Sequence, residues 1–125
     1  MSLTSIVNEA WLATLVAKLP GAELWYNEDW QAHILSVGGK QFARLGTDKM
    51  GTPIVTLKGD PLENEALRQE FSAIVPGYYS NKQHWNSVLL DEASFGEDRM
   101  AEMLQDGYRI VFESLTKKLQ AELSA

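Results

Sequence analysis

The feature that most constrains the fold is a change of hydrophobic rhythm: helical spacing at both ends of the chain encloses a middle in which apolar residues alternate. Val7, Trp11, Leu15 and Leu19 recur every four residues, with Leu12 and Val16 on the same stripe. Residues from about Thr4 to Leu19 therefore read as an amphipathic helix, which Pro20-Gly21 ends. Near the other end Met100, Leu104, Tyr108, Val111, Leu115 and Leu119 share one helical face. Asp106-Gly107 is expected to divide that stretch into two helices, since glycine weakens a helix interior by roughly 1 kcal/mol relative to alanine.

From Trp25 to Lys58 the rhythm shortens. Segments Ala32 to Val37 and Lys40 to Leu45 flank Gly38-Gly39, the pair favoured in a two-residue primed hairpin turn because glycine accepts positive φ. An unbroken register from that turn sets Leu35 opposite Phe42 and His33 opposite Arg44. Gly46 to Pro53 reads as loop and Ile54 to Lys58 as a third strand. Asp60-Pro61-Leu62-Glu63 is a helix start, with an Asp cap, Pro at the first position and an acid in the first turn. A short helix to about Phe71 follows, then a strand from Trp85 to Leu90, then a capping box at Ser94-Phe95-Gly96-Glu97.

Terminal helices around a strand-rich middle without long parallel crossovers predict an α+β fold: an antiparallel sheet with the N- and C-terminal helices packed on one face and the other face in solvent. No repeat, linker or low-complexity tract divides the chain, so residues 1–125 form a single domain. A chain of 125 residues buries enough surface to fold without staples. It has no cysteine, which removes disulfides, thiolate metal sites and thiol catalysis and suits a reducing, cytoplasmic setting. Neither an export signal nor a membrane span is present in the sequence, and no membrane partner is expected. The net charge of −6 weighs against a broad phosphate-gripping face, so any basic surface must be local.

Chemistry concentrates in Pro76-Gly77-Tyr78-Tyr79-Ser80-Asn81-Lys82-Gln83-His84-Trp85, which runs into the apolar Val88-Leu89-Leu90. One reading makes it a recognition patch: tyrosine and tryptophan offer rigid stacking faces, Lys82 a charge, and Asn81 donor and acceptor capacity. The other buries Trp85, bonds Asn81 to its own backbone in a turn and leaves Lys82 in solvent. His33, in phase with Leu35 and Val37, reads as a hydrogen-bonded, partly buried histidine. His84 has no partner fixed by the sequence, and no Gly-x-Ser-x-Gly elbow is present. The two histidines lack ligand spacing for zinc, and the acids Glu23, Glu28, Asp29, Asp91, Glu92, Glu97 and Asp98 sit in no cation-binding loop. Gly38-Gly39 is not a phosphate cradle. The expectation is a binding protein without catalytic residues, metal site or cofactor.

The ordered series Pro20-Gly21-Ala22-Glu23, Trp30, Phe42-Ala43, Leu57-Lys58, Asp60-Pro61, Leu67-Arg68, Pro76, Asn81-Lys82, His84-Trp85, Val88 and Leu90-Asp91 resembles the MmcQ/YjbR-like family of small bacterial proteins over most of the chain. The resemblance implies a frataxin-like (CyaY-like) α+β fold and a DNA-binding role with a double-wing arrangement, and it carries over no catalytic residue. It transfers Lys58, Asn81, Lys82, His84 and Trp85 as a candidate interaction surface, with Arg44 at its periphery. The sequence departs from the family pattern at Gly59, where cysteine is frequent, and at Asp106-Gly107 before Tyr108. The partner so implied is DNA, bound weakly and without sequence preference. The rival is a small ligand or a protein on the same aromatic and polar face. A further possibility, borrowed from frataxin-like proteins, is iron on the acids of the first connection.

Overall fold

The computed structural model describes residues 2–125. Helix α1 spans Glu9–Val16, shorter at both ends than its apolar stripe: the Asn8 side chain accepts a hydrogen bond from the Trp11 N–H at 3.0 Å and caps its start, and tighter turns at Lys18 and Leu19 follow its end. Leu3–Ser5 form only a 3-10 turn before it, yet Leu3 and Val7 are still buried in the core. Six strands follow: β1 (Ala22–Asn27), β2 (Ala32–Val37), β3 (Lys40–Thr47), β4 (Pro53–Lys58), β5 (Ile74–Pro76) and β6 (Trp85–Leu89). They make one sheet in the order β1-β2-β3-β4-β6-β5, with every neighbouring pair antiparallel. The α+β antiparallel architecture expected from the sequence is thus present, with β1 and β5 as two strands beyond the four expected.

Gly38 and Gly39 both take positive φ, 59° and 81°, as the primed turn between β2 and β3 requires. The unbroken register does not hold. Val37 pairs with Lys40 and Ser36 with Gln41, but a bulge then pairs Leu35 with Ala43, Ile34 with Arg44 and His33 with Leu45. The extra residue is Phe42, fully buried against Tyr108. Both Phe42 and Ala43 are therefore buried in the core, and Arg44 is displaced to the opposite face from His33.

Helix α2 (Pro61–Glu70) begins as expected, the Asp60 carboxylate accepting from the N–H groups of Leu62 and Glu63. Helix α3 starts at Glu97, after an extended Gly96 that supplies no side-chain cap, and runs unbroken through Asp106-Gly107 to Ser114. The division expected at glycine falls instead at Leu115, where the backbone is extended, and α4 (Lys117–Ser124) restarts on the Thr116 hydroxyl. Gly107 faces the sheet: a Cβ there would lie 2.8 Å from the Lys58 carbonyl oxygen. The glycine admits close helix-to-strand contact rather than breaking the helix.

Leu35, Val37, Val55, Leu57 and Val88 of the sheet share one core with Leu12, Leu15, Met100, Leu104 and Val111 of the helices. The Tyr108 hydroxyl donates to the Pro20 carbonyl at 2.6 Å, and burial raises its pKa. The helix-free face departs from expectation. Ile34, Ile54, Thr56 and Ser87 lie on it yet are buried, and the 78–80 segment is fastened across this face at Ser87 and Arg44. Among the described residues no helix is long and apolar enough to cross a membrane.

Candidate functional site

The helix-free face is organised around a row across β3, β4 and β6, where Arg44 pairs with Thr56 and Thr56 with Ser87. The hydroxyls of Thr56 and Ser87 are hydrogen-bonded at 2.7 Å, and the Ser87 oxygen also accepts from the Tyr78 N–H at 3.0 Å. Arg44 Nη2 donates to the Tyr78 carbonyl at 2.5 Å and to Ser80 Oγ at 2.7 Å. The row thereby pins the segment 78–80 across the sheet. Burial lowers the Arg44 pKa from the ordinary arginine value, but a guanidinium remains charged at neutral pH. The ion pairs among the described residues join His33 to Glu9 and Arg109 to Asp106 and Glu113. Arg44 has no carboxylate partner.

The structure brings three of the six sequence-predicted residues into one group. The Trp85 ring, half-buried opposite Lys58, lies 5.5 Å from Lys58 Nζ and 5.7 Å from the Arg44 guanidinium carbon, within cation–π range. Arg44, expected at the periphery, is central. Asn81, Lys82 and His84 precede β6 on an exposed turn. The Asn81 side-chain oxygen accepts from the N–H groups of Gln83 and His84, and its carbonyl accepts from Trp85 N–H. It serves its own backbone, as the turn reading anticipated. Lys82 Nζ donates to the Gly77 carbonyl at 3.1 Å, while the Lys82 carbonyl accepts from Arg68. Behind the turn, buried Asn64 and Asn86 link α2 to β6: Asn64 Nδ2 donates to the Gln83 carbonyl and Asn86 Nδ2 to the Asn64 carbonyl. These bonds tie the turn to both α2 and β6.

Beside Arg44 lies a groove of about 530 Å³, within the range of small-ligand sites. Ala32, Gly46, Ile54 and Thr56 are among its lining residues, and Trp30, Tyr78 and Tyr79 supply the aromatic ones. Trp30 is 57% exposed and Tyr79 73%. Asp48 also lines it, one of its oxygens committed to the N–H groups of Met50 and Thr52. Gln31, between Trp30 and Ala32, has φ 51°, and Tyr79 has φ 57°. These are the positive-φ non-glycine residues among those described; Tyr79 lines the groove and Gln31 stands between two lining residues. Trp30, which the sequence offered only as a family landmark, and the floor were not among the candidate site residues, although the alternation of Ile54 with Thr56 carried a signal for the floor.

A second, more open recess of about 810 Å³ lies between α1, β1 and the end of α4. There His33 Nε2 meets Glu9 Oε2 at 3.2 Å and the Tyr26 ring contacts the His33 ring, giving the hydrogen-bonded histidine expected. No group of three or more His, Asp or Glu residues that could hold a metal ion occurs among the described residues.

A family model described as YjbR matches residues 17–110. The Escherichia coli O157:H7 protein YbdF is 32% identical over 106 residues, covering 85% of this chain and 85% of its own length. YjbR of Escherichia coli K12 is 39% identical over 72 residues, 58% of this chain and 60% of its own. Among solved structures, a Deinococcus radiodurans protein with a DUF419 domain superposes with a TM-score of 0.79 at 28% identity, covering 91% of this chain and 86% of that one. A Pseudomonas syringae protein shares the fold with a TM-score of 0.69 at 19% identity, over 84% of this chain and 99% of that one.

Proposed function

This chain belongs to the YjbR family, and from that premise we propose that it is a binding module that captures an anion-bearing small ligand in the groove on the helix-free face of its sheet. The observation that carries the reading is Arg44: a half-buried cation without a carboxylate partner, lining an aromatic-walled groove. A desolvated charge is stabilised by a counter-charge, and no carboxylate of the described residues lies within ion-pair distance of Arg44, so an arriving anion gains more there than at an exposed lysine. The groove has the mix usual for small-ligand sites, mostly apolar lining with few polar groups. NMR titration with carboxylates and phosphates should give saturable shifts at the amides of Arg44, Gly46 and Thr56. Shifts confined to other surfaces, or none, would refute it.

A second reading, binding of DNA, draws on the meeting of Arg44 and Lys58 at Trp85, with Lys82 and His84 exposed on the adjoining turn. Aromatic rings among cations suit nucleic acid. The net charge of −6 restricts this to weak, local contact.

A further inference from the structure

Resting on the reading that the groove takes an anion, we infer that its ligand is a flat aromatic ring bearing an acidic group, the ring held by Trp30 and Tyr79 and the acid by Arg44. Two strongly exposed aromatic side chains border one concavity, where neither gains the burial that ordinarily stabilises such rings. A stacked planar ligand would supply it. Their placement carries a backbone cost: Tyr79 itself and Gln31, next to Trp30, hold left-handed φ without being glycine, a conformation that persists where surrounding structure imposes it and that clusters at ligand sites.

The remainder of the groove selects for flatness and polarity. Ala32 and Gly46 present almost no side chain, so no bulky group rises from that part of the groove's lining. Arg44 spends Nη2 on Tyr78 and Ser80, while Nε and Nη1 have no protein acceptor and no buried polar side-chain atom goes unpaired among the described residues. Those two donors therefore remain in contact with solvent and are free for a carboxylate or phosphate. Asp48 lies four residues along from Arg44, roughly 13 Å at the rise of an extended strand. Its other oxygen offers an acceptor to a ring N–H, so the groove is polarised from cation to acceptor. Aromatic carboxylates and nucleoside monophosphates both carry this shared chemistry.

The test is titration of the full chain, by NMR and tryptophan fluorescence, with five probes: indole-3-carboxylate, adenosine 5′-monophosphate, uncharged adenosine, citrate and inorganic phosphate. One or both aromatic anions should bind more tightly than adenosine, citrate and phosphate, and which of the two binds identifies the source. Trp30→Ala and Tyr79→Ala should each weaken that binding by about tenfold, the scale of a lost stacking contact. Arg44→Lys keeps the charge while losing the fork, and should reduce the preference over adenosine. If citrate or phosphate binds as well as the aromatic anions and Trp30→Ala changes nothing, the anion reading stands and the ring inference falls. Binding by none of the probes overturns both. Because Trp30 and Tyr79 are exposed, their variants should stay folded even where an Arg44 variant does not.

Discussion

Arg44 shows how one residue's placement determines the chemistry of a face. Without the bulge it would share a side with His33 and Phe42 and point toward the helices. The extra residue at Phe42 turns it outward. There it closes the 78–80 segment onto the sheet through two charge-assisted hydrogen bonds. Arg44→Ala should therefore cost about 2–3 kcal/mol in urea denaturation and increase amide exchange at Tyr79 and Ser80. A loss below about 0.5 kcal/mol would show that the loop is held by other contacts. Gln31→Gly should act in the opposite direction, raising stability by roughly 0.5–1 kcal/mol, since left-handed φ costs a side chain about 1–2 kcal/mol and glycine returns part of that as chain entropy. Destabilisation by more than about 1 kcal/mol would mean that the Gln31 side chain contributes contacts of its own. At this scale the sequence was half legible. Asn81 followed ordinary turn chemistry, whereas the positive φ of Gln31 and Tyr79 carries no glycine to announce it.

At the scale of elements, α3 lies directly on β3 and β4, and Gly107 is where it approaches most closely. An added Cβ would meet the Lys58 carbonyl oxygen at 2.8 Å and that of Phe42 at 3.4 Å. Both are sheet backbone, which yields less readily than a side-chain tip. Alanine would gain about 1 kcal/mol in helix propensity, but overpacking of this kind costs about 1–3 kcal/mol. Gly107→Ala should thus be destabilising by about 1 kcal/mol in equilibrium unfolding, and a gain of that size would show that helix and sheet can separate freely. The same glycine explains why the sequence misplaced the helix break: propensity registers the missing side chain but not the strand that occupies its space. Strand β5 has three residues, too few to show a period. Strand β1, at the sheet edge, alternates only imperfectly in burial, and its turn into β2 rests on the Asn27 side chain accepting from the Trp30 N–H rather than on glycine. The β2–β3 hairpin and the capped start of α2 were legible because Gly38-Gly39 and Asp60-Pro61 act locally.

For the whole molecule, charge decides how far the nucleic-acid reading extends. The chain has 17 acidic against 11 basic residues, and only a few of the cations lie toward the helix-free face. Arg44 already spends Nη2 on the loop and lies in the groove, so Lys58 and Lys82 are the cations set against a duplex phosphate. Each neutralised phosphate contributes a slope of roughly 0.9 in log K against log salt, so duplex binding should show a slope of about 2. At physiological salt, screening confines these lysines to local contact while the net charge opposes approach. Fluorescence anisotropy should therefore detect weak association at low salt and almost none at physiological salt. Lys58→Ala and Lys82→Ala should each lower the slope by about 1, and Lys117→Ala, on the helical side, should leave it unchanged. Single-stranded oligonucleotides should bind at least as well as duplex, because unpaired bases can reach the rings at Trp30 and Tyr79 and paired ones cannot. A duplex slope of about 5 or more, with micromolar affinity at physiological salt, would instead require a broad phosphate-gripping surface and displace the small-ligand reading. Loss of all oligonucleotide binding alongside intact binding of an aromatic anion would assign the face to small molecules alone.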